Sequence, residues 1–427
     1  MSDEEYEYDY GSDYGDMDEE GGPENEIAIE IENSFYEAED EKKENNLSRA
    51  LELFLKVNDL ETEHKGDEVV WRFKALTHAV TIYHTMGDSN QMIVTYRRML
   101  SYITNTSVTR NECTDAINSV LDAISVSTDT TVLSQVRSPI ISLMYEITLE
   151  ALRTANNERL WFNTNLKLAK VYLSNDQYTE TEGVLATLKA SCQHADGSDD
   201  LSKGSSLIEV YCLEIRLCAL TGNRHRMQDV YPKTLNLKNA ISHPRILGQI
   251  REEGGKMYMA EGNWAEAYNE LYASFLAYQE AGDQRAKSTL KYLVVASLLA
   301  LSKINPFSAK EANVYAEDKE IIAMVDLRQA LEATDLPKFE RVLKDKRNRI
   351  QDEPFLVKYI EPLRKRMREQ VLLDITRPYS KVTFDFLVDE LLMPREEVEI
   401  LLIEMILDRR LQASIDQVKG CVLFNRA

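Results

Sequence analysis

A chain of 427 residues can bury a large core, and 44% hydrophobic with 29% charged residues is the balance of a water-soluble protein. The longest apolar run, Tyr292–Leu301, has ten residues with one serine, well short of the ~20 that a membrane-spanning helix needs, so no membrane association is expected. The net charge of −22 averages two unlike parts: residues 1–41 carry 18 Asp or Glu and no Lys or Arg, and the other 386 residues share only −4.

The opening MSDEEYEYDYGSDYGDMDEEGG is low-complexity acid with four tyrosines. Such a segment buries too little surface to offset its ordering entropy, so residues 1–30 are expected to form a disordered acidic tail. It lacks the apolar stretch of a secretory signal. The cysteines, Cys113, Cys192, Cys212, Cys218 and Cys421, are scattered and odd in number. Reduced thiols in the cytoplasm or nucleus fit that pattern.

From about residue 26 the hydrophobic spacing is helical almost throughout. AKVYLSNDQYTETEGVL (169–185) and GKMYMAEGNWAEAYNEL (255–271) superimpose, Tyr172 on Tyr258, Tyr178 on Trp264 and Leu185 on Leu271. Each reads as helix, short polar break, aromatic residue, second helix. IYHTMGDSNQMIVTYRRML (82–100) fits the same frame with Tyr83 and Gly87 in place of Tyr258 and Gly262. The breaks fall near Asn45, Gly87, Asp129, Asp176, Gly222 and Gly262, 40–47 residues apart. That period suits stacked helical hairpins, which bury against neighbours the stripe that none can bury alone. Gly262 is expected to end one helix in the left-handed conformation and Trp264 to anchor the next. Gly254 and Gly255 are expected to let helices approach closely.

After about residue 355 the pattern changes. YIEPLRKRMREQVLLDI reads as a connecting helix, KVTFDFLVDELLM as an extended start and a helix, and REEVEILLIEMILDRR as a helix opened by Pro394. LQASID and GCVLF flank Lys419 and Gly420 as a small β-hairpin. Helix, helix, hairpin is a winged helix, and a helical solenoid ending in one is the layout of a PCI module. The expected fold is all-α: a right-handed solenoid of tetratricopeptide-like hairpins over 31–300 and a PCI module over 301–420. Its winged helix starts near residue 370, and a short divergent tail follows over 421–427.

Motifs for chemistry are sparse. A phosphate loop needs G-x-x-x-x-G-K-[ST] after a strand; before Lys256 the glycines are Gly248, Gly254 and Gly255, and Met257 replaces the hydroxyl. No H-E-x-x-H or paired C-x-x-C occurs. Cys192 and His194 share a loop, and Cys212 and Cys218 are six apart on a helix, too far round for one face. No catalytic residue and no metal site is expected. The recognition helix, roughly 395–408, carries Glu396, Glu397, Glu399, Glu404 and Asp408 against Arg395 alone, so phosphates would be repelled and direct DNA binding is not expected. Its apolar Leu401, Leu402, Ile403 and Ile406 suggest packing. One basic region stands out: Arg224, Arg226, Lys233, Lys238, Arg245, Arg251 and Lys256 against Asp229, Glu252 and Glu253, with a smaller group of Lys65, Arg72 and Lys74. It reads either as solvated helix faces or as a surface for an acidic partner or a polyphosphate.

From about residue 26 to residue 418 the chain resembles the subunit-two family of the COP-nine signalosome, the complex that removes a Nedd-type modifier from cullins. The resemblance is carried by VTRNECTDAINSVLDAIS, LWFNTNLKLAKVYL, HPRILGQIREEGGKMYMAEG, LKYLVVASLLALSKINPF and IDQV, and the acidic Tyr-rich tail fits it. The resemblance implies a non-catalytic scaffold in nucleus and cytoplasm. Its repeats would hold a cullin and its RING-box partner while another subunit supplies the zinc protease. It also implies contacts with other signalosome subunits and inositol hexakisphosphate as an interface glue rather than a required cofactor. The family's anion-contacting positions match Lys65 in EHKG, Lys74 in WRFKAL and Arg251 in IREEGGKM. The stretch DEVVWRFKAL is slightly longer than the family's. After IDQV the family continues into a C-terminal helix, whereas here KGCVLFNRA follows; weaker incorporation into the complex, with the cullin contact kept, is the expectation. The alternatives are a proteasome-lid scaffold subunit, which the chain matches less well, and a nuclear transcriptional adaptor acting through the winged helix.

Overall fold

The computed structural model describes residues 23–64, 69–126, 134–194, 196–237, 242–302 and 304–424. Outside the described residues lie most of the expected acidic tail, the break near Asp129, and Lys65 and Lys238. The chain divides into two compact units, Met1–Val184 and Leu185–Ala427.

The first unit holds α1 (Pro23–Lys43), α2 (Leu47–His64), α3 (Val70–Met86), α4 (Ser89–Ser101), α5 (Arg110–Val126), α6 (Ser134–Thr154) and α7 (Glu158–Ser174), and α8 (Tyr178–Ser191) begins in it. Helix α1 starts inside the 1–30 segment expected to be disordered, so residues 23–30 are helical rather than tail. Composition pointed to disorder there, but Ile27, Ile31, Phe35 and Ala38 recur at helical spacing. Ile31, Phe35 and Ala38 are buried in one apolar cluster with Phe54 and Val57 of α2 and Ala75 and Ile82 of α3, and that burial outweighs the acidity of the opposite face.

The hairpin breaks have a common local construction. Asn45, Gly87, Asp176, Gly222 and Gly262 all take the left-handed conformation, at φ of 66°, 81°, 58°, 70° and 77°. These are the expected breaks that fall on described residues. At Gly262 the N–H of Gly262 donates to Met259 O (3.2 Å) and that of Asn263 to Tyr258 O (3.0 Å), which closes the helix as a Schellman motif. Gly87 and Asp88 do the same onto His84 and Tyr83. The next residue then opens the following helix. Asp88, Asn157 and Asn223 accept from the backbone N–H of Gln91, Leu160 and Arg226, which satisfies a donor that the helix leaves orphaned. Two adjacent residues thus end one helix and start the next.

The second unit continues with α9 (Gly204–Thr221), α10 (Arg224–Asn236), α11 (Pro244–Glu261), α12 (Trp264–Glu280) and α13 (Arg285–Leu299). Helix α11 packs closely through its glycines: a Cβ on Gly254 would sit 2.3 Å from the Tyr231 ring, and one on Gly255 would sit 2.6 Å from Leu271. Trp264 anchors α12 edge-on against Tyr359, with ring centroids 6.1 Å apart. Short α14 (Lys310–Asn313), α15 (Ile322–Glu332), α16 (Leu336–Lys344) and long α17 (Pro354–Thr376) lead to the winged helix. The boundary expected at 300/301 falls inside one continuous apolar cluster that runs from Met259 to Val422; packing draws no line there.

The winged helix comprises β1 (Lys381–Thr383), α18 (Phe384–Leu391), α19 (Arg395–Leu407), β2 (Ala413–Asp416) and β3 (Cys421–Phe424). Its sheet is antiparallel in the order β1-β3-β2, with Val422 opposite both Val382 and Ile415. Residues 421–424, read in GCVLF as a hairpin strand but placed by the expected bounds in a divergent tail, are the central strand. Cys421 and Val422 are buried, and that burial seats the strand between the other two. The expected class, a solenoid of helical hairpins followed by a winged helix, is the class observed.

Candidate functional site

The candidate residues fall into two clusters, one in each unit. In the first, α3 presents Trp71 and Lys74 one turn apart. The Lys74 amine lies 5.3 Å from the centre of the Trp71 ring and 3.6 Å from Glu112 Oε1. Trp71 is itself held by Phe35, with centroids 5.1 Å apart, and by the exposed Tyr36, at 6.1 Å. Glu112 serves the start of α5: it accepts from the backbone N–H (3.0 Å) and hydroxyl (2.8 Å) of Thr109, whose hydroxyl caps the Glu112 N–H in return. Those bonds from Thr109, more than Lys74, hold its carboxyl below the usual carboxylate range. Lys74 is therefore a half-exposed cation, steered by an aromatic face and a loose ion pair. Such a group can turn to an anion at little cost.

Arg72, grouped with Lys74 on sequence, behaves differently. It is buried, its Nε lies 3.4 Å from Glu61 Oε2, and its backbone N–H donates to the same oxygen. It is a core ion pair, so the smaller basic group reduces to Lys74 among the described residues. Lys65 lies outside them.

In the second unit, most of the expected basic patch is already engaged by the chain's own carboxylates. Arg226 meets Glu214 at 3.0 Å, Arg245 meets Asp283 at 2.7 Å and Arg251 meets Glu270 at 2.9 Å. Lys256 sits between Glu252 (2.6 Å) and Glu253 (2.9 Å), over the rings of Tyr292 and Phe355. Burial works to lower its pKa, but the two glutamates outweigh that and hold it above the usual lysine value. Glu252 in turn accepts from the Tyr278 hydroxyl at 2.7 Å. GGK therefore marks a half-buried ionic joint within a packed helix, and α11 has no phosphate-loop geometry. The electropositive surface counted along the sequence is corrected accordingly. Arg224 and Lys233 stay exposed, and Arg251 keeps about a third of its side chain in solvent at 36%. Its Nη1 is committed to Glu270, which leaves further guanidinium donors for a carboxylate or phosphate.

The remaining sequence candidates carry no site. Among the described residues no cluster of three His, Cys, Asp or Glu side chains could hold a metal ion, and no helix is long and apolar enough to cross a membrane. All five cysteines are free and buried. On α19, Leu401 and Leu402 are core residues, while Ile403 is exposed with its neighbours Ile400 and Leu407. Glu396 and Glu397 are exposed on the same helix. Sequence reading missed the partners that decide each cation's role, Glu112 for Lys74 and Glu270 for Arg251. The capping box T-x-x-E at Thr109 was the one signal that placed Glu112 at a helix start.

Residues 338–426 match the family model described as the PCI domain. The COP9 signalosome complex subunit 2 of Dictyostelium discoideum is 42% identical over 91% of this chain and 84% of its own length. The chain belongs to the COP9 signalosome complex subunit 2 family. The Drosophila melanogaster member is 39% identical over 96% of this chain and 88% of its own. A 26S proteasome non-ATPase regulatory subunit 11 homolog of Arabidopsis thaliana is more distant, 24% identical over 72% of this chain. A subunit 2 family member thus has its helical repeats and its winged helix in one chain, and its partly exposed candidate cations, Lys74 and Arg251, lie in the helical repeats.

Proposed function

We propose that this chain is a scaffold subunit of a COP9 signalosome. It would bind a cullin and its RING-box partner through the helical repeats and hold the neddylated cullin so that a partner metalloprotease subunit reaches the isopeptide bond. The chain itself would be non-catalytic and work in nucleus and cytoplasm. Similarity to signalosome subunit 2 proteins along more than four fifths of their length carries this reading. Lys74 and Arg251 are the cations proposed to meet the acidic partner surface, with Lys65 as a third. Inositol hexakisphosphate would act as an anionic bridge there. Lys74 suits that task because a 3.6 Å contact with Glu112 is its ion pair; Arg251 suits it through donors beyond Nη1.

The test is affinity purification of the full chain at physiological salt, with every co-purifying protein identified. Cullin, RING-box protein and signalosome subunits together support the proposal. Proteasome-lid subunits instead would move the chain to the other family it resembles. Cullin binding unchanged by Lys74→Glu with Arg251→Glu would remove these two residues from the contact.

A further inference from the structure

A second group of charges lies later in the chain, in the second unit, on residues other than those used above. Residues 338–368 carry eleven Lys or Arg against five Asp or Glu, in a chain of net charge −22. The structure separates these cations into two kinds. Three of α17 are paired within the fold: Arg364 holds Glu340 and Glu361, Lys365 holds Glu404 of α19, and Arg366 holds Glu369, which also takes Arg410. Lys365–Glu404 and Glu369–Arg410 tie the connecting helix to the winged helix, and Arg364–Glu340 ties it to α16.

The last turn of α16 and the turn that follows it are different. Arg341, Lys344, Lys346, Arg347 and Arg349 are all exposed within nine residues. The carboxylates among them are Glu340, which Arg364 already holds at 2.9 Å, and Asp345, which accepts from the backbone N–H of Arg347. Lys344 reaches Glu340 at 3.6 Å with its side chain 71% exposed, and Arg347 is 91% exposed. Ion pairs this exposed are weakly held and easily exchanged.

The backbone beneath these charges is firmly built. Leu343 and Ile350 are buried on either side of the turn. Asn348 Nδ2 donates to Val342 O at 2.8 Å. Two 3-10 turns, Lys346–Asn348 and Ile350–Asp352, meet at Arg349, whose φ is 50°. Glycine or asparagine takes that left-handed conformation more readily than arginine, so a cation stands here where local backbone preference favours a smaller residue.

We infer that the turn 341–349 is a docking surface for an acidic polypeptide segment of a partner protein, with carboxylates exchanging onto Arg341, Lys344, Lys346, Arg347 and Arg349. Nucleic acid fits it less well. The turn carries no exposed aromatic ring on which bases could stack, and the winged helix of the same unit exposes Glu396 and Glu397, which would repel a duplex. Its residues are other than Lys74 and Arg251, and the inference does not depend on that contact.

Carbodiimide coupling tests the assignment on the full chain. A decapeptide of glutamates is activated in 50 mM salt, and the lysines that acquire it are mapped by mass spectrometry. Lys344 and Lys346 are expected to carry most of the adduct, several-fold less in 300 mM salt. Arg341→Ser, Arg347→Ser and Arg349→Ser together keep both lysines and should cut their labelling about tenfold, as expected for loss of three charge-assisted contacts. Removing three exposed arginines of the first unit, Arg97→Ser, Arg98→Ser and Arg110→Ser, should leave it unchanged. Adducts spread over all exposed lysines, or equal losses in the two triple variants, would overturn the inference. So would protection of Lys344 and Lys346 by a 20-nucleotide single strand that exceeds protection by unactivated peptide. Thermal melts of both variants separate loss of binding from loss of fold.

Discussion

Lys74 in the first unit and Lys256 in the second stand in similar sequence surroundings, each on a long helix near other cations and glutamates. Their physical situations are opposite. Lys74 is 40% exposed and meets Glu112 at 3.6 Å, whereas Lys256 is 23% exposed, touches Glu252 and Glu253 at 2.6 and 2.9 Å and lies over two rings. The contrast teaches that a run of cations in sequence measures composition rather than surface potential. What a cation can offer a partner depends on which carboxylates folding has already brought to it.

The sharpest way to break this contrast is to delete each amine. Lys256→Met leaves Glu252 and Glu253 partly buried without their cation and should cost roughly 3 kcal/mol, the scale for breaking a buried pair. Lys74→Met should cost less than about 0.5 kcal/mol, because its pair is exposed and loose. Equal losses in denaturant unfolding would show that the two lysines are alike after all. Next in size is Gly254→Ala, which drives a Cβ to 2.3 Å from the Tyr231 ring and should destabilise the second unit by about 2 kcal/mol through overpacking. Gly87→Ala meets no atom within 4 Å and should cost about 1 kcal/mol from backbone strain alone.

A pH dependence distinguishes the first unit further. His78 on α3 stacks on Phe54 at 5.1 Å, accepts the Lys42 amine at Nδ1 and faces Glu39 at 3.5 Å. Burial first, and the Lys42 charge second, push its pKa down from 6.5 to about 4. The folded protein therefore binds fewer protons there than the unfolded chain. The stability tied to neutral His78 is complete above pH 6.5 and is lost as pH falls towards 4. Melting curves across that range should show the first unit losing stability, and His78→Phe should flatten the slope. A slope that persists unchanged would assign it to other groups. A small stability effect is also expected at Arg251→Ala, below about 1 kcal/mol for a partly exposed pair, which makes it a clean probe of partner binding.

The hairpin turns were legible because their requirements are local. Gly87, Gly222 and Gly262 adopt a backbone that other residues resist, and Asn45 and Asp176 are among the few side chains that tolerate it. The winged helix was legible in outline from its spacing of apolar residues. The extended start at Lys381–Thr383 was legible too, but not its pairing with β3, because no local pattern links segments 40 residues apart. The start of α1 at Pro23 was obscured by acidic composition, although the stripe of Ile27, Ile31, Phe35 and Ala38 marks it. The candidate site was the least legible part. Glu112 lies 38 residues from Lys74 and Glu270 lies 19 from Arg251, and no spacing rule links them.

By itself, then, the order of residues determined the helices, their left-handed breaks, the exclusion of a phosphate loop and the kinship carried by its motifs, because each depends on neighbours within a few turns of the chain. Only the tertiary structure decided that Arg72 is buried in an ion pair and Lys256 half-buried between two glutamates, that Lys74 stays half in solvent, and that the cations of 341–349 stay exposed while Arg364, Lys365 and Arg366 of α17 are paired. Ion pairing acts across space over a few ångströms, and folding chooses which distant carboxylate comes that close.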